Sequence, residues 1–94
     1  PSELTVPQDY VLYQNYPNPF NPTTTIRFLI ETQSDVFLHI YDIKGRLVET
    51  LVTGELLSGD HAVQWDASDY ASGVYFVRLT AGESRQTRKM LLVK

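Results

Sequence analysis

Hydrophobic positions recur with period two along most of the chain, the spacing of a strand buried on one face. In TTIRFLI (24–30) Ile26, Phe28 and Ile30 share one face, with Thr25, Arg27 and Leu29 on the other. In VFLHIYD (36–42) Val36, Leu38 and Ile40 oppose Phe37, His39 and Tyr41. In HAVQWD (61–66) Val63 and Trp65 share a face, and VYFVRLT (74–80), apolar on both, predicts a central strand. TRKMLLV (87–93) predicts a last strand and YVLY (10–13) a short first one. Between these runs lie turn signals: the polar ETQSD (31–35), Asp42-Ile43-Lys44-Gly45, a glycine at 59, the loop 67–73 and Ala81-Gly82-Glu83-Ser84. Glycine in such turns takes positive φ without steric cost. RLVETLVT (46–53) fits two patterns, because Leu47, Val48, Leu51 and Val52 make a helical stripe as readily as a bulged strand. Eight residues between two glycine-marked turns is short for a helix, so strand is preferred. About seven strands at roughly ten-residue spacing predict an all-β fold, an immunoglobulin-like antiparallel β-sandwich of Greek-key type. Its two sheets would enclose Ile26, Phe28, Leu38, Ile40, Val63, Trp65, Val77 and Leu79.

Two segments escape the period. Residues 1–9 (PSELTVPQD) are polar and carry two prolines, and read as the end of an interdomain linker, leaving 10–94 as the domain. A start at Pro1-Ser2-Glu3 suggests a piece of a longer protein. NYPNPFNP (15–22) holds three prolines, which exclude helix and interior strand. Proline also favours extended geometry in the residue before it. Asn18 and Asn21 can bond their own downstream backbone, so this reads as a stiff loop with Phe20 as its anchor.

Composition narrows the function. Ninety-four residues make one domain with one modest core. The net charge of −3 gives no general pull toward nucleic acid or an anionic membrane, and no run reaches the roughly 20 apolar residues of a membrane helix. Nucleic acid and membrane insertion are therefore not expected, and the chain reads as a monomer. There is no cysteine, which excludes disulfides and thiolate chemistry. His39 and His61 lack partners at metal-ligand spacing, the serines sit in no nucleophile elbow, and the glycines form no phosphate loop. Asp60, Asp66 and Asp69 are close in sequence, suggesting a carboxylate pair or a calcium site, but they match no EF-hand spacing and suit turns. No catalytic residue, metal ligand or cofactor is assigned, and an enzyme is not expected. Eleven aromatic residues (12% of the chain) keep open an accessory, carbohydrate-binding or structural module of a secreted enzyme, with Tyr10, Tyr13, Tyr16 and Tyr70 as candidate exposed rings. The plainer reading is tyrosines capping strand ends with the ring buried. Four of the eight basic residues, Arg85, Arg88, Lys89 and Lys94, lie in the last ten positions, a local basic tail that suits either partner recognition or a charged edge strand.

LYQNYPNPFNPTTTIRF (12–28) resembles the opening of type IX secretion C-terminal sorting domains of type A. VFLHIYDIKGRLVETL (36–51) resembles that family's strand–turn–strand with D-x-x-G-R. GDHAVQWDASDYASGVYFVRL (59–79) resembles its W-D and S-G-V-Y-F elements, and KMLLVK (89–94) its basic–apolar–basic ending. The Ig-like domain of flagellar hook-capping proteins is similar in the W-D and S-G-V-Y elements. The resemblance implies a non-catalytic sorting signal, covalently linked to an N-terminal passenger protein. It implies transit through the periplasm, recognition by the type IX outer-membrane translocon, and delivery to the cell surface or the exterior. A sortase-like peptidase would cut in or before residues 1–10. Candidate recognition residues are Lys89, Met90, Leu91, Leu92, Val93 and Lys94, with the translocon pairing with or docking on the last strand. Gly73 and Tyr75 match the family's G-x-Y element, but suit a loop glycine of unusual φ and a core-edge ring better than a recognition role.

Overall fold

The computed structural model describes residues 10–94. The linker read over residues 1–9 lies outside the described residues. Seven antiparallel strands run in order: β1 Tyr10–Leu12, β2 Thr23–Ile30, β3 Ser34–Asp42, β4 Leu47–Leu56, β5 Gly59–Asp66, β6 Gly73–Ala81 and β7 Ser84–Leu92. They form a three-stranded sheet, β1-β2-β5, and a four-stranded sheet, β4-β3-β6-β7. β2 pairs with β5, and β3 with β6, so two of the five pairings join strands that are not consecutive, as in an Ig-like Greek key. β6 is an interior strand, in accord with apolar residues on both of its faces.

The period-two faces meet in one core. Ile26, Phe28 and Ile30 of β2, Val36, Leu38 and Ile40 of β3, Val77 and Leu79 of β6, and Met90 and Leu92 of β7 are all buried. Val63 is only partly buried and packs at the margin of this cluster. Burying side chains of this size contributes about 1.5–3 kcal/mol each before the entropy of ordering is subtracted.

β4 resolves the ambiguous stripe. Its pairing with β3 shifts register twice, between Leu38↔Val52 and His39↔Thr50, and again between Ile40↔Glu49 and Tyr41↔Leu47. Leu51 and Val48 are the extra residues, and two such bulges turn a period-two strand into a pattern that mimics a helical stripe. The turn feeding β4 is closed by Gly45 N–H donating to the Asp42 carbonyl at 2.9 Å, with Gly45 at φ +80°.

Candidate functional site

The C-terminal segment sits at the outer edge of the four-stranded sheet, opposite β6. Val74 is registered with Leu91, Gly73 with Leu92 and Tyr75 with Met90, so the candidates from both motifs are brought together. Their exposure divides them. Met90 and Leu92 are core residues, 0% and 1% exposed, and offer nothing to a partner. Leu91 and Val93 are exposed, and Lys89 and Lys94 are also on the surface. Gly73 has φ +151°, a conformation that favours glycine. Tyr75 is buried, with its hydroxyl donating to the Ala71 carbonyl at 2.7 Å.

Beneath this segment lies an aromatic cluster centred on Trp65. The ring centroids of Phe20, Tyr70 and Tyr75 stand 5.7, 5.7 and 5.5 Å from it. Trp65 donates its indole N–H to Glu49 Oε1 at 3.0 Å. The Tyr70 hydroxyl lies 3.0 Å from the Val48 carbonyl and 3.1 Å from the same Glu49 oxygen. Burial, and then the Glu49 carboxylate beside it, hold the Tyr70 phenol above its usual range. The W-D and G-V-Y elements thus build a platform under the tail.

The outward backbone groups of the tail are already used. Leu91 N–H donates to Asn18 Oδ1 at 2.9 Å, and Phe20 N–H donates to the Leu91 carbonyl at 3.0 Å. Val93 N–H donates to the Phe20 carbonyl at 2.9 Å, while Gln14 Nε2 donates to the Lys89 carbonyl at 2.8 Å. Asn18 therefore acts across the fold rather than on its own downstream backbone. The local work falls to Asn15, which is buried and donates to the Pro17 carbonyl and to Thr24 Oγ1. The three Xaa–Pro bonds of this loop are cis. The proline-rich segment is a strap along β7, pinned by Phe20, which is 2% exposed. Direct strand pairing by a partner at residues 89–93 would meet this strap. Docking on the exposed side chains would not.

The basic tail also divides by task. Arg88 Nε donates to the Leu12 carbonyl at 3.0 Å, and Gln86 bridges the Tyr10 carbonyl and the Leu12 N–H at 3.2 and 2.8 Å. These side chains join the edges of the two sheets. Lys94 Nζ donates to the Ser68 carbonyl and its N–H to Ser72 Oγ. Arg85 and Lys89 form no ion pair among the described residues.

Other expectations are redistributed. Tyr10 is buried and Tyr70 half-buried, while Tyr16 is 80% exposed and Tyr13 lies under the Arg27 guanidinium. Asp66 caps Ser68 and so serves a turn. Among the described residues no group of three or more His, Asp or Glu gathers in a metal-holding arrangement. His39 stacks on Phe37 and meets Tyr41 edge-on, and His61 stacks on Phe28.

The model of the family described as "Secretion system C-terminal sorting domain" matches residues 14–94, from the strap to the last residue. The chain belongs to this family. The domain is a sorting signal of type IX secretion, directing its protein toward the cell surface or the exterior. Among solved structures, dimeric latent PorU from Porphyromonas gingivalis shares the fold at TM-score 0.70 and 22% identity, covering 95% of this chain and 10% of its own. PorZ of the same organism, an essential bacterial surface component of the type-IX secretion system, matches at TM-score 0.62 and 26% identity, covering 88% of this chain and 11% of its own. The sorting domain thus spans about a tenth of the length of either protein. Comparison with curated proteins gives no match.

Proposed function

We propose that the domain acts without catalysis, as the C-terminal module of a passenger protein that is carried through the periplasm and handed to the outer-membrane translocon. The translocon reads the surface of the tail, Lys89, Leu91, Val93 and Lys94, while Met90, Leu92, Gly73 and Tyr75 hold that surface in shape. A sortase-like peptidase then separates passenger from domain on the N-terminal side. The supporting observation is the alternation itself. Buried Met90 and Leu92 fix the register, so that Lys89, Leu91 and Val93 project from a rigid strand whose backbone the strap has already satisfied. A preorganised surface binds without the entropic cost of ordering a flexible tail.

The test is a fluorescent reporter fused ahead of residues 1–94 in a cell with a working type IX system. The expected result is export of the native fusion and periplasmic retention of a folded Lys89→Ala/Lys94→Ala fusion. Export of both would remove the tail from recognition. Retention of both would overturn the sorting route for this domain. A carbohydrate-binding role would call for coplanar exposed rings. The row Phe37, His39 and Tyr41 is not planar, with His39 and Tyr41 at 83°.

A further inference from the structure

The outer face of the four-stranded sheet combines features that, apart from Lys89 and Leu91, the sorting reading does not use. Register places Leu47, Tyr41, Phe76 and Lys89 in one row across the sheet, and Thr50, His39, Arg78 and Thr87 in the next. Tyr41, Ile43, Phe76, Arg78 and Thr87 line a cavity of about 300 Å³, enough for one large side chain. Asp42 also borders it, but its carboxylate is committed to the turn, accepting from Lys44 N–H, Arg46 N–H and Arg46 Nε, each at 2.9 Å. Beside the cavity the same face exposes apolar side chains: Ile43 is 69% exposed and Leu47 54%, and Phe37 and Leu91 further along it are also open to solvent.

Charge completes the pattern. Arg78 pairs with Thr87 across the β6–β7 ladder, so its diagonal neighbours on the same face are Arg85 and Lys89. Diagonal positions stand roughly 7–8 Å apart, within reach of long side chains. None of these three cations is in an ion pair among the described residues. Arg78 instead lies 4.8 Å from the centre of the Tyr41 ring. Three cations gathered on one face give a local positive potential even on a chain of net charge −3, and such a potential attracts an anion.

We propose that this face docks a partner protein through a segment in which a carboxylate stands beside an aliphatic or aromatic side chain. The apolar side chain fills the cavity between Tyr41, Ile43 and Phe76, and the carboxylate meets Arg78 with Arg85 and Lys89 around it. A guanidinium binds a carboxylate through paired, charge-assisted hydrogen bonds, which gives the contact direction as well as energy. The exposed aliphatic residues favour a protein over a sugar, since Ile43 and Leu47 offer no hydrogen bonds to hydroxyl groups.

The test is an NMR titration of the isotope-labelled 94-residue chain with the blocked peptide acetyl-Gly-Leu-Asp-Phe-Gly-amide. Inorganic phosphate and glucuronate serve as peptide-free anions. Saturable shifts should centre on Ile43, Phe76, Arg78 and Thr87. Affinity should fall at least about fivefold when the peptide Asp becomes Asn or when Arg78→Gln is introduced, as expected for loss of a charge-assisted contact. Ile43→Ser should weaken the same peptide without changing its response to charge. Lys89 is left intact, so the outcome is separate from any effect of the tail on export. Absence of shifts, shifts centred on β5, indifference to the carboxylate, or tighter binding of either peptide-free anion would overturn the proposal.

Discussion

β7 and β4 are the two edges of one sheet, and each is protected against stray pairing in a different way. An uncovered edge strand presents free N–H and C=O groups to any extended chain. At β7 they are covered: the proline-rich strap takes the backbone of Lys89, Leu91 and Val93 through Gln14, Asn18 and Phe20. At β4 the edge is distorted instead, with two bulges and a glycine at φ +126°, Gly54, breaking its regular outline. Covering needs partners far away in sequence, whereas distortion needs only local residues. The covered edge therefore holds its outward side chains on a backbone that is already bonded. It depends on that strap, whose buried anchor is Phe20.

The largest expected effect breaks that dependence. Phe20→Ala removes a buried aromatic side chain that packs on Trp65, and should cost about 3–5 kcal/mol in urea-induced unfolding. Backbone amide exchange at Leu91 and Val93 should rise more than at β3, because the strap loses its anchor. A loss under about 1 kcal/mol would show that the proline-rich chain holds itself in place without the ring. On the other edge the counterpart is Glu49, next to the bulge at Val48. Glu49→Ala leaves the buried Trp65 indole N–H without its acceptor, for about 1–3 kcal/mol, and Glu49→Gln should restore most of it. If Ala and Gln behave alike, the bulged edge is held by packing alone.

Local residues were legible in advance and distant partners were not. Period-two runs marked the core faces of β2, β3 and β5, because burial of one sheet face imposes that spacing directly. Val63 departs from the expected core: it is only partly buried, although Trp65 on the same face of β5 is fully buried. The choice between strand and helix at 46–53 rested on length, since two bulges erase the spacing that would decide it. The strap was readable as a stiff loop with Phe20 buried. Its position was not, because Asn18 and Gln14 find a donor and an acceptor 73 and 75 residues away. In the tail, either parity of Met90–Val93 was acceptable to the sequence. Pairing with β6 selects Met90 and Leu92 for the core. The basic residues looked alike until the fold assigned Arg88 to a β1 carbonyl and Lys94 to the Ser68 carbonyl, leaving Arg85 and Lys89 to solvent. The cation cluster with Arg78 depends on β6–β7 register and is invisible along the chain.

The smallest effect distinguishes the edges by acid. Asp42 closes the turn into β4. The Arg46 backbone N–H, then the Arg46 side chain and Lys44 N–H, hold its carboxyl below the usual carboxylate range, against a smaller opposing cost of desolvation. Asp66 ends β5, where the loop under the tail begins. There the Ser68 hydroxyl and N–H lower its pKa, with help from the Lys94 charge. A carboxyl with a depressed folded pKa stabilises the protein fully above its unfolded pKa, near about 4, and loses that contribution as pH falls through the folded value. Stability should therefore drop below about pH 4 in the native protein and drop less in Asp42→Asn or Asp66→Asn. Asp66 is exposed and Asp42 half-buried, so added salt should shrink the difference more at Asp66. Thermal unfolding across that range, with amide exchange followed at Thr50 and Leu91, separates the two. Asp66→Asn should loosen the tail at neutral pH and leave β4 unchanged, and Asp42→Asn should do the reverse. Equal loosening of both edges by either substitution would mean that covering and distortion are coupled through the sheet, and that the tail is not an independently held surface.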